Sequence, residues 1–392
     1  MPSCRTVVVI RLNDMTRDIR TQREATALAE AGMEVTVLAL RSDGLPDVDD
    51  SGPFKLRRVA NETTASWRSP ATKLKQLRSR SRALADAACA LRPSIVHGVD
   101  TDTLAVAIRV GKRTGARVIY DAGELYPDML LANRAHVPAP VLAYWRAVER
   151  RFVPQADVVV TVGEAVGGEI RRRFGVEPVV IRSVPVLEAP AGRALLRDEL
   201  GLAEHQVVLL YQGLINYGRA LTDVIDAVAQ VPDIVFAIQG YGPLLDSVVA
   251  HARDVGVSDR VRYMGVAPMD MLHAYASGAD IGDVVLENVS LNNFFAAPNK
   301  LYQYLMAGIP VLGSDFPEIR RIVSEGDCGE LCDPGSEQSI VDALRAFVAL
   351  GPSARAAMGQ RARHLAETRY NWDIEKAKLL EVYERLAARS TA

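Results

Sequence analysis

The chain has 392 residues, 49% of them apolar and 24% charged, with a net charge near −2 and only four cysteines. That length leaves room for two domains with sizeable cores. The balance of charge excludes a global pull towards nucleic acid or anionic membrane, and the scarcity of cysteine excludes a disulfide-stapled scaffold. No run of eighteen apolar residues occurs, so no segment reads as a membrane span. The opening "MPSCRTVVVIRL" has an apolar run too short for a signal peptide. Together with the few cysteines, this sets the expectation of a cytoplasmic protein, in which the sequons at Asn61 and Asn288 are chance. Cys328 and Cys332 have no second Cys or His pair beside them, so no metal site is expected.

Short β-branched runs alternate with longer helical stretches along the chain. "TVVVIRL" (6–12) reads as a buried strand, "TQREATALAEAG" as a helix stopped by Gly32, and "MEVTVLAL" as the next strand. "SIVHGV", "ARVIYDA" and "ADVVVTVG" follow, each after a helical segment. A parallel crossover needs a helix to return the chain, so this half is expected to form a Rossmann-like sheet. The stretch 177–192, with three prolines and few helical signals, reads as a linker. Five more strands then appear in "QVVLLYQG", "IVFAIQGYG", "RVRYMG", "ADIGDVV" and "PVLGS". The fold class is therefore α/β, with two Rossmann-like, doubly wound domains facing across a cleft, over 1–182 and 183–371. A last helix, 372–392, is expected to cross back to the first domain.

Ligands of open parallel sheets bind outside the carboxyl ends of the strands. The loops at those ends supply the candidates. After the first strand, "NDMTRDIRTQRE" opens a helix, and Asn13, Asp18 and Arg20 stand there as ligand contacts or as a helix cap with an ion pair. His97 is the one well-placed histidine. In "YDAGELYPDML", Asp121 and Glu124 sit where a strand becomes a helix. Two such carboxylates hold sugar hydroxyls or orient a catalytic group, or else simply cap the helix. In "YQGLINYGRAL", Gln212 and Gly213 end a strand and Arg219 precedes a helix. A cation opposes the macrodipole there unless a phosphate lies beside it. "QGYG" places Gly240, Tyr241 and Gly242 at the next strand end. "APNKLYQYLMAGIPVLGS" puts Pro298 in a first turn, Asn299 at a cap, and Lys300, Leu301 and Gln303 on a helix leading into a buried strand.

Taken in order, "YQGLINYGRAL", "IQGYGPLLDSV", "VRYMGVAPMDMLHAYASGADI", "PNKLYQYLMAGIPVLGSDFPEIRRIV" and "GELCDPGSEQSIVDAL" resemble the retaining, nucleotide-sugar-dependent glycosyltransferases of the family 4 type with the GT-B fold. "DIRTQREATALAEAGMEVTVLAL" and "VIYDAGELYPD" resemble a subset of that family. The resemblance implies a nucleoside-diphosphate-sugar donor on the C-terminal domain and an acceptor, a small molecule or glycan, on the N-terminal one. It implies donor contacts at Gln212, Gly213, Arg219, Gly240, Tyr241, Gly242, Val266, Asn299, Lys300, Leu301 and Gln303, and acceptor-side contacts at Asn13, Asp18, Arg20, His97 and Gly123. Asp121, Glu124 and Arg219 are the implied catalytic groups, with no cofactor and no metal.

Three departures from the family pattern stand out. Leu214 takes the place of a second cation on the diphosphate. Gln303 takes the place of the ribose-binding Glu, with Phe295 at the position of an earlier Glu. Gly123 takes the place of a His near the reacting carbon. These departures keep open a catalytically degenerate relative that acts as a binding partner, and the shared two-domain architecture keeps open a nucleotide-sugar 2-epimerase, which would need carboxylates and a His such as His97 in the cleft. The basic stretch 72–91, with Lys73, Lys75, Arg78, Arg80 and Arg82, is a candidate for peripheral membrane contact.

Overall fold

The computed structural model describes residues 5–59, 70–132, 137–202 and 206–388, with the backbone alone over 70–78. Cys4, Asn61 and the side chains of Lys73, Lys75 and Arg78 lie outside that description. The chain forms two compact units. One comprises Met1–Pro127, Pro138–Ile181 and Lys376–Ala392; the other comprises Asp128–Val137 and Arg182–Glu375.

The first unit holds an eight-stranded sheet in the order β3-β4-β2-β1-β5-β6-β7-β8. Its strands are β1 Thr6–Ile10, β2 Glu34–Leu40, β3 Val48–Asp49, β4 Lys55–Val59, β5 Ile95–Val99, β6 Arg117–Ala122, β7 Val158–Thr161 and β8 Val179–Val180. All pairings are parallel except β3 with β4. The strands β1, β2, β5, β6 and β7 were legible as apolar runs. The two-residue β3 and β8 carry too little sequence to show a period, and β4, "KLRRV", alternates buried apolar with charged positions. The stretch expected to be pure linker thus contributes β8 to the sheet.

The second unit holds six parallel strands in the order β11-β10-β9-β12-β13-β14. They are β9 Val207–Leu214, β10 Ile234–Tyr241, β11 Val261–Tyr263, β12 Ile281–Val284, β13 Val311–Ser314 and β14 Gly329–Cys332. Along β9, Val207, Leu209 and Tyr211 enter one apolar cluster, while Val208 and Leu210 enter the cluster on the opposite face. Burial on both faces explains why the strand reads as a continuous apolar run rather than an alternation.

Both sheets are doubly wound, and the strand order reverses direction between β1 and β5 in one and between β9 and β12 in the other. The crevice at such a switch point, beyond the carboxyl ends, is where this architecture receives ligands. The final helix, Trp372–Ala388, begins in the second unit and passes into the first at Lys376. Among the described residues, no helix is long and apolar enough to cross a membrane.

Candidate functional site

In the second unit the switch point is built from the ends of β9 and β12 and the helix Asn299–Ala307. Lys300 is 7% exposed, yet its Nζ has no hydrogen-bond partner among the described residues. It lies 3.9 Å from the centroid of the Tyr211 ring and 4.0 Å from Asp283 Oδ2, which is likewise buried and unpartnered. Burial pushes the Lys300 ammonium down to about 8, against the opposing pull of Asp283, while Arg219 adds like-charge repulsion. Burial also pushes the Asp283 carboxyl up. A buried cation without a hydrogen bond is costly, and it is relieved by an anion that reaches it.

The loop after β9 presents Arg219. Gly218, at φ 77°, is held through its carbonyl by the Asn293 amide at 3.0 Å, and Ala220 N–H donates to Glu287 Oε1 at 3.0 Å. Ala220 takes a left-handed conformation, φ 51°, as the N-cap of the helix Leu221–Ala229. Arg219, half-buried between these pinned neighbours, makes no hydrogen bond or ion pair among the described residues. Two cations therefore flank one strand end, beside the free N–H groups of the helix Asn299–Ala307.

Several expected donor residues have other duties. Gln212 is buried, and its Nε2 donates to Gln239 Oε1 at 3.0 Å and to the Leu272 carbonyl at 3.1 Å, so its side chain is turned inward. Leu301 is fully buried in the core and offers no side-chain contact. Pro298 is itself the N-cap, and Asn299 is the exposed first helical residue rather than a cap. Gly240 and Gly242 are required for close approach. A Cβ at Gly240 would lie 1.8 Å from the Gly213 carbonyl oxygen, and one at Gly242 would lie 1.9 Å from that of Ile215. Gly213, Tyr241 and Val266 stand exposed at the strand ends. Gln303 is half-buried and makes no hydrogen bond among the described residues, so its amide remains available.

In the first unit the expected acceptor-side residues bind one another. Asp18 caps the helix Ile19–Glu30 by accepting from Thr21 N–H at 3.0 Å, and it also receives Asn13 Nδ2 at 2.8 Å and Arg11 Nε at 2.5 Å. Arg20 grips Asp121 with Nε at 3.1 Å and Nη2 at 3.0 Å, reaches Glu24 at 3.1 Å, and donates to the Ile181 carbonyl at 2.9 Å. Asp121 is fully enclosed and committed to Arg20, which makes it a positioning residue rather than a group free to touch a sugar. His97 lies within β5, not beyond it. It is buried, with Nδ1 2.7 Å from the Tyr383 hydroxyl and Nε2 3.9 Å from Asp121. Burial pushes its imidazole down to about 4, so it is neutral and sealed off. The elimination chemistry that would need an accessible histidine loses its candidate. Glu24, His97 and Asp121 bring ligand atoms within 4.8 Å of one another, but Arg20 already supplies the cation there. Glu124 is exposed and Gly123 half-buried at the end of β6. Sequence reasoning missed Arg11, Asp100, Tyr211 and Asp283. The strand-end rule points to Arg11 and Asp100 directly, since each follows a strand.

Fold and site define a class: a two-unit α/β protein whose second sheet ends beside two cations, Lys300 and Arg219. Family models agree with this class. Residues 18–187 match the "Glycosyl transferase 4-like domain", and residues 192–365 match "Glycosyl transferases group 1". The chain belongs to the GT-B glycosyltransferases of the family 4 type. It is similar to a GDP-mannose-dependent α-(1-6)-phosphatidylinositol monomannoside mannosyltransferase of Mycolicibacterium smegmatis, at 26% identity over 60% of this chain. That match spans 64% of the relative's length. It is also similar to a 2-deoxystreptamine glucosyltransferase of Streptomyces kanamyceticus, at 26% identity over 67% of this chain and 73% of the relative. Among solved structures, a sucrose-phosphate synthase from Thermosynechococcus elongatus superimposes with a TM-score of 0.83 at 17% identity, covering 98% of this chain and 100% of the other.

Proposed function

We propose that the protein transfers a sugar from a nucleoside-diphosphate sugar to a hydroxyl of a polyol acceptor, with the anomeric configuration retained. The observation that carries this reading is the pair of cations at the switch point of the second sheet: Lys300, buried without a hydrogen bond, and Arg219, without any partner among the described residues. As the diphosphate leaves, it gains negative charge while the anomeric carbon becomes oxocarbenium-like. Fixed cations and helix N–H groups aimed at that charge lower the barrier. With this much positive charge from the chain itself, the reading includes no divalent ion. The acceptor oxygen bonds the anomeric carbon on the face the diphosphate departs from, and its proton passes to the leaving phosphate oxygen. No dedicated side-chain base is needed, which suits a chain with glycine at position 123. Gln303 would hold the ribose as a neutral acceptor and donor in place of a carboxylate. The names of the two curated relatives specify an inositol lipid and an aminocyclitol as acceptors, which supports a ring-shaped polyol here.

The test is thermal-shift titration with GDP-mannose and UDP-glucose, followed by measurement of acceptor-free donor hydrolysis. One of the two donors is expected to stabilise the wild type, and Arg219→Ala to weaken that binding by roughly 10- to 100-fold, the weight of a charge-assisted contact. Binding without any hydrolysis would point to a degenerate relative. No stabilisation by either donor, or an unchanged Arg219→Ala, would remove the reading.

A further inference from the structure

The switch point of the first sheet carries a feature that the reactions above leave unused. Asp100 follows β5, and Arg11 follows β1, so the two face each other across the point where strand order reverses. Arg11 Nη1 donates to Asp100 Oδ2. Asp100 Oδ1 makes no hydrogen bond among the described residues, and the side chain keeps 17% of its surface exposed. Its backbone stands at φ 65° and ψ 163°, a region that is essentially glycine-only. The conformation is held by Asp100 N–H donating to the Asp121 carbonyl at 2.9 Å, and by the Thr103 N–H and hydroxyl donating to the Asp100 carbonyl at 3.2 and 3.1 Å. A glycine would adopt it without strain; the Arg11 ion pair offsets part of that strain but uses Oδ2 alone, which leaves Oδ1 in need of a reason of its own.

The geometry at the end of β6 supplies that reason. An ideal Cβ at Gly123 would meet one atom only, Asp100 Oδ1, at 3.4 Å. The unpaired oxygen thus looks over a residue with no side chain, in a half-buried position at a strand end. Beside it, Asp102 Oδ1 is buried with no hydrogen-bond partner among the described residues, and its other oxygen is 3.5 Å from the Tyr126 hydroxyl. Burial raises the Asp100 carboxyl and pushes Asp102 up to about 7, while Arg11 opposes the rise at both. One carboxylate oxygen open to the crevice and a second buried without a donor make a place short of hydrogen-bond donors, and hydroxyl groups supply donors.

We infer that Asp100 is a substrate-binding residue, whose Oδ1 accepts a hydrogen bond from a ring hydroxyl of the ligand over Gly123. The ring is that of the free polyol acceptor, which the proposed function expects on this unit. The inference rests on the proposed glycosyl transfer for the identity of the ligand, but not for its donor site, which lies in the other unit.

The experiment compares wild type, Asp100→Asn and Asp100→Gly by thermal unfolding and by ligand-detected NMR, with myo-inositol alone in one arm and GDP-mannose alone in the other. Asp100→Gly relieves the strained backbone but also removes the Arg11 ion pair, so the unfolding midpoints serve to show that both variants remain folded. Saturation transfer to ring protons is expected in the inositol arm for wild type, with affinity reduced roughly tenfold or more in both variants. A drop confined to the inositol arm supports the assignment; a drop confined to the GDP-mannose arm would overturn it. The inference is overturned if wild type does not bind myo-inositol, or if both variants, still folded, bind it as wild type does. Should Arg219→Ala lose donor while the Asp100 variants change nothing, this inference alone falls and the proposed function stands.

Discussion

Glu24 shows how far a single buried group can set the response of the first unit to pH. Burial pushes its carboxyl up to about 8, and Arg20 at 3.1 Å only partly opposes that. Below about pH 4.5 the group is protonated in the folded and the unfolded chain alike, and its contribution to stability is whole. Between about 4.5 and 8 the unfolded chain releases a proton that the fold retains, so stability falls as pH rises through that window. Glu24→Gln keeps the shape and does not titrate. It is expected to gain on wild type as pH rises, by about 1–3 kcal/mol at neutral pH. Chemical denaturation at pH values near 5 and 8 checks this, and a constant difference between the two proteins would refute it. The same cluster marks a limit of sequence reading. Arg20 and Asp121 were legible as polar residues at strand ends, but they are 101 positions apart, and only the fold shows that each satisfies the other. A residue's type states what it can bind, and its distant neighbours decide whether that capacity is still free.

The helix Asn299–Ala307 is the element on which the proposed donor site depends. Its amphipathic start and the Gly308–Pro310 stop were readable, and so was the buried strand after it. Its anchoring was not, because Tyr304 reads as one more apolar position. In the structure the Tyr304 hydroxyl donates to the Leu210 carbonyl and accepts from Gln212 N–H, both at 2.9 Å, so it splices the helix onto β9. Its ring lies where a Cβ at Gly282 would come within 2.2 Å, so only glycine at that point of β12 lets helix and strand meet. Tyr304→Phe keeps the ring and leaves the Gln212 N–H without that partner inside the core. The expected cost is about 1–3 kcal/mol, together with weaker nucleotide-sugar binding as Lys300 loses its fixed position. Urea unfolding and donor titration on the same variant separate the two effects. A variant with lowered stability and intact donor affinity would show that the helix start is held by something else. Strands with long apolar runs announced themselves, whereas β14, four residues at the sheet edge, did not.

At the scale of the whole chain, the question is what the last seventeen residues of structure contribute to a unit that begins at the other terminus. Apart from the excursion of Asp128–Val137, the polypeptide passes between units near residues 181 and 182 and again near 375 and 376, and Arg182 N–H donates to Glu375 Oε2 at 2.9 Å, which ties these two passages together. Beyond that tie, the helix buries Leu379, Val382, Tyr383 and Leu386 in the first unit, and Tyr383 supplies the hydroxyl against His97 Nδ1. Four large buried side chains are worth about 6–12 kcal/mol by transfer, comparable to the entire stability of a typical domain at about 5–15 kcal/mol. A chain ending at Asn371 also removes the Tyr383 hydroxyl from the buried, neutral His97 ring, leaving neither ring nitrogen a hydrogen bond among the described residues. The first unit is therefore expected to lose its fold on that truncation, while β9 to β13 keep theirs, because each sheet has its own core. Hydrogen exchange followed by peptide should show β1, β5 and β6 unprotected and β9, β10 and β12 still slow. Equal protection in both sets would mean that the helix is an appendage, and equal loss would mean that the two cores do not fold independently.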